Sequence, residues 1–132
     1  MNNRPGIAAR RPRRSRLSRS AEFDRVYRQG RSQANRYLVL YAFPRGGDEG
    51  PRLGLSVSRK VGGAVDRNRI KRLLREVFAT EEPSLPRGYD LVIVARPDLK
   101  ELAEREGMEG IRGALEELVE RAGIRPQREP QA

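Results

Sequence analysis

Residues 64–80, AVDRNRIKRLLREVFAT, have the pattern of a helix with two unlike faces. Apolar side chains stand at positions 70, 73, 74, 77 and 78, a helical spacing that groups them on one side. The opposite side carries Asn68, Arg72 and Arg75, with Arg69 and Lys71 beside them. This stretch therefore predicts an amphipathic helix whose apolar side packs on a core.

The cations of this helix lie where a helix stabilises them least. The first turn is the positive end of the helix dipole, where a basic side chain costs about 0.3–1 kcal/mol. Arg69 also repels Arg72 at i, i+3 spacing, and Lys71 repels Arg75 at i, i+4. A solvated helix face is the ordinary explanation of a charge run, but such a face usually mixes signs, and here only Glu76 interrupts the cations. We therefore expect RNA or DNA to supply the counter-charge.

The composition of the whole chain agrees with a polyanionic partner. The 132 residues include 28 Lys plus Arg and 18 Asp plus Glu, for a formal net charge of +10. Residues 1–80 carry 20 basic and 6 acidic side chains, whereas residues 81–132 carry 8 and 12. The polyanion is therefore expected to contact the first two thirds of the chain.

The chain contains no cysteine and no histidine. This excludes disulfides, the common zinc sites and every site that pairs a nucleophile with an imidazole. Nothing marks the acidic neighbours Glu22 and Asp24, or Asp48 and Glu49, as metal ligands. We therefore expect neither catalytic residues nor a metal site on the protein. No apolar run approaches the roughly 18 residues of a membrane span, so a soluble, cytoplasmic protein without membrane contact is predicted.

Two strands are predicted before the basic helix. Residues 36–43, RYLVLYAF, are rich in aromatic and branched side chains. Residues 52–60, RLGLSVSRK, alternate apolar with small or polar positions. The turn-forming residues between them predict that the two strands pair as a hairpin. One face of the second strand is expected to meet the core, and the other, with Gly54, Ser56 and Ser58, is expected to be open.

Helices and one more strand complete the predicted order α, β, β, α, β, α, an α+β fold class. A first helix over residues 20–30 has the apolar stripe Phe23, Val26 and Tyr27, and this spacing alone favours Phe23 and Tyr27 as core residues. Residues 89–97, YDLVIVARP, are nearly continuous in apolar residues, as a central strand is. A helical segment then starts near residue 98, and residues 108–123 form a helix that is apolar inside and acidic outside.

Three ordered motifs resemble the protein component of bacterial ribonuclease P. They are FDRVYRQGRSQANRYLVLY at residues 23–41, LGLSVSRKVG at residues 53–62 and RNRIKRLLREVF at residues 67–78. The likeness covers about residues 17–122, and the combination is highly specific, whereas the basic helix alone is weak evidence. It implies a two-layer α/β sandwich, with a central mixed sheet of about four strands and helices packed on it. It also implies a left-handed β-α-β crossover, against the usual right-handed rule.

The resemblance also implies a function. Ribonuclease P is a tRNA-processing ribonucleoprotein that cleaves precursor tRNA, removes the 5′ leader and creates the mature 5′ end. Its RNA subunit holds the active site, so the protein is the cofactor of a ribozyme endonuclease. The expected partners are the catalytic RNA and precursor tRNA, with no obligate protein partner. No cofactor is expected on the protein alone, and Mg²⁺ is expected at the active site of the RNA.

Two RNA-binding surfaces follow from the resemblance. The first meets the catalytic RNA and comprises Arg59, Lys60, Arg67, Asn68, Arg69, Lys71, Arg72 and Arg75. The second is a cleft for the single-stranded leader and comprises Phe23, Tyr27, Arg36, Tyr41, Ser56 and Ser58. Aromatic stacking, at about 1–3 kcal/mol per base, suits a leader of variable sequence. Asn68 is also open to a role as a helix cap or in a turn hydrogen bond.

The two ends of the chain lie outside the resemblance. Residues 1–16 are predicted to be a disordered basic arm, with a targeting segment as the alternative, residues 17–124 the ribonuclease P protein domain, and residues 125–132 a flexible tail. Two other functions stay open at this point. One is a ribosome-associated structural protein or general RNA chaperone that uses the basic helix as a passive clamp. The other is a helix-turn-helix DNA-binding protein, which suits the helix but not the strands around it.

Overall fold

The computed structural model describes residues 16, 17 and 20–125. The predictions for the basic arm before residue 16 and for the tail after residue 125 lie outside these residues. Along the described chain the elements are α1 (Ser20–Gln29), β1 (Arg31–Ala34), β2 (Leu38–Pro44), β3 (Arg52–Ser56), α2 (Ala64–Glu81), a 3-10 turn (Glu82–Ser84), β4 (Tyr89–Ala95) and α3 (Leu99–Ala122). No helix in the described residues is long and apolar enough to cross a bilayer.

The strands form one mixed sheet in the order β1-β2-β4-β3. β2 pairs antiparallel with both β1 and β4, so that Tyr41 stands opposite Ser32 on one side and Val92 on the other. β3 pairs parallel with β4, with Gly54 opposite Val92. The apolar strand β4 is therefore interior, as its sequence predicted, and the α+β class with a mixed sheet is confirmed.

The predicted hairpin between residues 36–43 and 52–60 is wrong. β4 lies between the two strands, and β3 reaches it through α2 as a β-α-β unit. The turn-forming residues after β2 mark a change of direction but do not select a partner strand. β4 takes the interior place because both of its faces are apolar and both need cover. The left-handedness of the crossover stays a prediction.

β1 was not predicted, and its residues explain why. Arg31–Ala34 reads RSQA, a segment without apolar alternation, and three of its four residues are exposed. It forms because its backbone pairs with the edge of β2, with Ser32 opposite Tyr41. Such an edge strand is set by backbone hydrogen bonds rather than by burial, so binary patterning does not reveal it.

Helices cover both faces of the sheet. The main core lies between one face and the helices α2 and α3; it includes Leu40, Ile93, Ile70, Leu74, Phe78 and Leu115. A smaller core lies between the other face and α1; it includes Leu17, Val26 and Val92, with Phe23, Tyr41, Phe43 and Val94 packed around them. Because successive side chains of a strand point to opposite faces, β4 contributes Ile93 to one core and Val92 to the other.

α3 unites the two helical segments predicted near its start and over residues 108–123. Gly107 separates them, with φ 62° and ψ −147°, a conformation that glycine adopts without the penalty of a side chain. Leu102 before the kink and Ile111 and Leu118 after it are all buried against the main core. The kink therefore lets both segments cover the twisted sheet.

Candidate nucleic-acid interface

α2 presents the predicted cations on its outer side. Arg72 and Arg75 are exposed, and Arg69 and Lys71 are half-buried. Ile70, Leu74, Val77 and Phe78 hold the opposite side of the helix in the main core. This packing fixes the rotation of α2, so its basic side faces solvent.

Asn68 lies inside the helix rather than at its end. The N-cap residue of α2 is Gly63, so the capping role considered for Asn68 is wrong. Asn68 is exposed and stands one turn before Arg72. Its position is therefore on the same outward side as the cations.

The seven basic side chains of the first predicted surface have no carboxylate within 4.0 Å in the described part of the chain. They are Arg59, Lys60, Arg67, Arg69, Lys71, Arg72 and Arg75. Elsewhere arginines pair internally, as Arg121 does with Glu117 at 2.7 Å. Even Asp66 in the first turn of α2 turns away and pairs with Lys100 of α3 at 3.4 Å. The counter-charge of this surface must therefore come from outside the described domain.

Arg67 differs from the other members of this surface. It is half-buried, as Arg69 and Lys71 are, but its Nε atom is fully buried and has no hydrogen-bond partner among the described residues. Arg67 stands three residues before Ile70, so on the helix it lies nearer to the apolar stripe than Asn68 or Arg72 does.

A tight turn between β3 and α2 displays Arg59 and Lys60. The carbonyl of Ser58 accepts the N–H of Val61 at 3.0 Å, and the carbonyl of Arg59 accepts the N–H of Gly62 at 3.2 Å. The Ser58 hydroxyl accepts the N–H of Lys60 at 3.2 Å. Val61 is buried and anchors the turn, whereas Arg59 and Lys60 are exposed. The turn thus extends the basic side of α2.

The three aromatic members of the second predicted surface lie together on the α1 side of the sheet. The rings of Tyr27 and Tyr41 meet edge to face, with centroids 4.9 Å apart, and those of Phe23 and Tyr27 are 6.3 Å apart. Tyr27 is 37% exposed, whereas Phe23 and Tyr41 are half-buried. Phe23 and Tyr41 are therefore part of the smaller core, whereas Tyr27 is open to solvent.

Gly54 gives Phe23 the room to reach β3. A Cβ atom at position 54 would lie 2.7 Å from Cζ of Phe23 and 3.1 Å from Cδ1 of Leu17. Gly54 is buried beneath this ring, so the strand face predicted to be open is closed at this point. Ser56, the last residue of β3, is half-buried, and Ser58 is exposed in the turn after the strand, so the predicted strand over residues 52–60 is shorter than expected.

Arg36 contacts other residues than the aromatic group. Its Nε donates to Oδ2 of Asp98 at 2.7 Å, and its guanidinium lies 5.7 Å from the ring centroid of Tyr37. The hydrogen bond to Asp98 raises the pKa of Arg36, and the charge of Asp98 adds to the effect. The structure therefore places Arg36 at the end of β2 nearest the start of α3, beside an open hollow that Asn35 and Arg96 also line.

Similarity to known proteins identifies the family of this chain. The family model described as Ribonuclease P matches residues 12–123. The chain belongs to the ribonuclease P protein family. A ribonuclease P protein component from Shouchella clausii is 42% identical over 109 residues, which cover 83% of this chain and 86% of the relative. One from Caldanaerobacter subterraneus subsp. tengcongensis is 46% identical over 87 residues, covering 66% and 74%.

Solved structures of ribonuclease P proteins share the fold. The protein from Staphylococcus aureus matches with a TM-score of 0.73 and 34% identity, over 83% of this chain and 96% of the other. The protein from Thermotoga maritima matches with a TM-score of 0.72 and 36% identity, over 80% and 96%. The chain is thus the protein subunit of ribonuclease P, the endoribonuclease that matures the 5′ end of tRNA, and it associates with the ribonuclease P RNA.

A small cavity joins the two surfaces of this ribonuclease P protein. It has a volume of about 130 Å³ and is lined by Arg16, Leu17, Phe23, Leu53, Leu55, Lys71 and Arg75. Burial lowers the pKa of Arg75, and the nearby charge of Arg16 lowers it further. Crowded cations of this kind are relieved by an anion. The cavity therefore continues the electropositive side of α2 as far as the ring of Phe23.

One buried charge of the ribonuclease P protein was missed by the sequence analysis. Asp90 in β4 is fully buried and is surrounded by Arg25, Arg45 and Arg52. A signal was present, because a lone carboxylate in the apolar strand YDLVIVA needs buried partners. Among the described residues there is no group of three or more acidic side chains arranged to hold a metal ion.

Proposed function

We propose that this subunit binds the catalytic RNA through the basic side of α2 and the turn before it. The observation that carries the proposal is the set of seven cations without a carboxylate partner in the described residues. Phosphates would replace the missing carboxylates and release counterions from the RNA. Arg-rich surfaces suit this role because a guanidinium binds phosphate with two parallel hydrogen bonds.

The 5′ leader of precursor tRNA is proposed to bind on the α1 side of the sheet. Phe23, Tyr27 and Tyr41 offer ring surface there, and Ser56 and Ser58 extend the same face with small polar groups. Lys71 and Arg75 border this region through the small cavity and supply charge for the RNA backbone. A surface of rings and cations binds single strands without demanding a sequence. Arg36, at the far end of β2, would contact the leader only beyond this aromatic group.

Catalysis is assigned to the RNA subunit, with Mg²⁺ held at the RNA active site. In this proposal the cations and aromatic rings of the protein supply positioning and charge neutralisation. Mg²⁺ is proposed to neutralise phosphate charge in the holoenzyme, and the cations of α2 share that task. The protein is therefore expected to matter most when Mg²⁺ is scarce.

Reconstitution tests this function. The protein is combined with the catalytic RNA and precursor tRNA, and cleavage is measured as Mg²⁺ is lowered. We expect the protein to shift the required Mg²⁺ concentration downward and the cleaved tRNA to carry the correct mature 5′ end. Equal cleavage with and without protein would refute the proposal. Competition with duplex DNA and with unrelated RNA of equal length separates a specific subunit from a general RNA chaperone, because a chaperone is displaced equally by any RNA.

A further inference from the structure

Asp90 joins three elements on the α1 side of the sheet. Arg52 of β3 donates to both of its oxygens, from Nε at 2.8 Å and from Nη2 at 2.9 Å. Arg45, which follows β2, lies 3.2 Å from Oδ1, and Arg25 of α1 lies 3.5 Å from Oδ2. A fully buried carboxylate needs such partners, since an unpaired charge in a protein interior is strongly destabilising.

The same cluster returns to α1 through a second contact. Nη1 of Arg52 donates to Oε2 of Glu22 at 3.2 Å. The path from Glu22 through Arg52 and Asp90 to Arg25 thus begins and ends on α1. Phe23 lies between these two ends in the sequence. These ion pairs therefore fix both the position and the rotation of the first turns of α1 relative to β3 and β4.

The arginines at the centre of this cluster are poorly placed to bind RNA themselves. The side chains of Arg52 and Arg45 are only 20% and 13% exposed, and their hydrogen-bonding groups face Asp90 and the backbone. The hydrogen bond to Asp90 raises the pKa of Arg52. Arg25 is more open, but its guanidinium also lies over the ring of Phe43, 5.3 Å from the centroid. The cluster therefore connects α1 to the sheet inside the protein and is not itself a surface for binding RNA.

We infer that Asp90, with Arg25, Arg52 and Glu22, forms a positioning cluster that fixes α1 so that Phe23 and Tyr27 are preorganised for the RNA leader. This inference rests on the proposed binding of the leader on the α1 side. Phe23 is held from one direction by its close fit on Gly54, and the cluster fixes the helix from the other. A ring that is already placed loses less conformational freedom when a base stacks on it.

The variant Glu22→Gln gives the sharpest test, because two explanations predict opposite signs. If Glu22 acts only through its charge, its removal strengthens RNA binding. If Glu22 holds α1 through Arg52, its removal weakens leader binding. The readout is the affinity of the reconstituted holoenzyme for precursor tRNA with a leader of about eight nucleotides, divided by that for a leader of about one. We expect this ratio to fall about fivefold, the contribution of a weak base–aromatic stack.

Glu120→Gln is the matched control. Glu120 pairs with Arg125 at 3.2 Å, the distance of the Glu22–Arg52 pair, but it belongs to α3. This control makes the same change of charge and is expected to leave the leader ratio unchanged. Affinity for the catalytic RNA is measured in parallel and is expected to stay within about twofold for both variants.

Amide hydrogen exchange of the free protein gives a readout without RNA. We expect Glu22→Gln and Asp90→Asn to speed exchange over residues 23–27 while α3 keeps its protection. If Asp90→Asn does not fold, Glu22→Gln decides alone. A wild-type holoenzyme without any leader preference would refute the proposed leader site, and with it this role of the cluster. A wild-type preference that Glu22→Gln keeps or strengthens, with unchanged exchange in α1, would refute the positioning role alone.

Discussion

Arginine side chains occupy two kinds of environment in this protein, and the local structure determines which. Arg52 stands on a strand next to a buried carboxylate and donates to both of its oxygens. Arg72 stands on the outer side of a helix whose inner side is committed to the core. The first arginine stabilises the fold, and the second is proposed to bind the phosphates of RNA. In this proposal the same residue type serves structure at one position and recognition at the other.

At residue scale, Gly54→Ala tests how Phe23 is seated. The new methyl group would lie 2.7 Å from Cζ of Phe23, so the ring or the strand must shift. We expect the free energy of unfolding to fall by about 1–3 kcal/mol, as overpacking typically costs. Chemical denaturation of the free protein measures this change.

The double variant Gly54→Ala with Phe23→Leu is the control for that test. A smaller side chain at position 23 frees the space, so part of the lost stability should return. The coupling between the two positions is expected at about 0.5–3 kcal/mol. Additive effects of the two substitutions would show that the ring and the glycine are not in close contact.

At the scale of single elements, sequence periodicity predicted some features well and others poorly. The helix predicted over residues 64–80 is observed as Ala64–Glu81. It was predictable because the spacing of its apolar residues indicates both a helical period and the side that is buried. The partner strands of β2 and the identity of the residues that pair with Asp90 were not predictable in this way. Both depend on the register of strands that are distant in sequence, which no local pattern contains. The same holds for Arg36, whose partner Asp98 is 62 residues away.

The kink in α3 leads to a prediction about Gly107. Its φ of 62° and ψ of −147° are strained for any residue with a Cβ atom. Gly107→Ala is expected to lower the unfolding free energy by about 1–3 kcal/mol. Gly113→Ala, in the same helix, is the matched control: a Cβ there meets nothing within 4 Å. The control is expected to gain about 0.5–1 kcal/mol, and equal losses in both variants would contradict this account of the kink.

The contact between α3 and the turn after β1 predicts that the stability of the fold depends on pH. The amide of Asn35 donates to Oε1 of Glu117 at 2.9 Å, and this hydrogen bond, followed by that of Arg121, lowers the pKa of Glu117. A carboxyl group with a lowered folded pKa stabilises the fold at neutral pH. That contribution is lost as the pH falls from the ordinary carboxyl range to the folded pKa.

Carboxyl titration by NMR measures the effect. In Asn35→Ala, the pKa of Glu117 is expected to rise toward its ordinary value, although the hydrogen bond of Arg121 keeps part of the shift. Because Asn35 also accepts the N–H groups of Tyr37 and Leu38, the variant is less stable at every pH. An unchanged pKa of Glu117 in this variant would contradict the assigned cause.

At the scale of the whole molecule, charge is divided between two neighbouring helices, α2 and α3, which pack on the same core. α2 and the turn before it carry cations without carboxylate partners among the described residues, whereas α3 carries acidic residues that pair with its own arginines. This division agrees with the excess of basic residues in the first 80 positions, which the sequence already displayed. The counts alone indicated a polyanion. The resemblance of three motifs was needed to identify that polyanion as a specific RNA, because charge carries no information about which RNA is bound.

The salt dependence of binding to the catalytic RNA tests the central claim most directly. The double variant Arg72→Gln with Arg75→Gln removes two cations of α2. The control, called the α3 variant, is Arg105→Gln with Arg125→Gln, which removes one paired arginine in α3 and one just after it. Affinity is measured from low to high salt for the wild type and both variants. We predict that the α2 variant lowers the slope of log affinity against log salt by about 0.7–0.9 for each phosphate that the protein no longer neutralises, while the α3 variant keeps the wild-type slope. An unchanged slope in the α2 variant, or an equal decrease in both, would contradict the assignment of α2 as the RNA-binding surface.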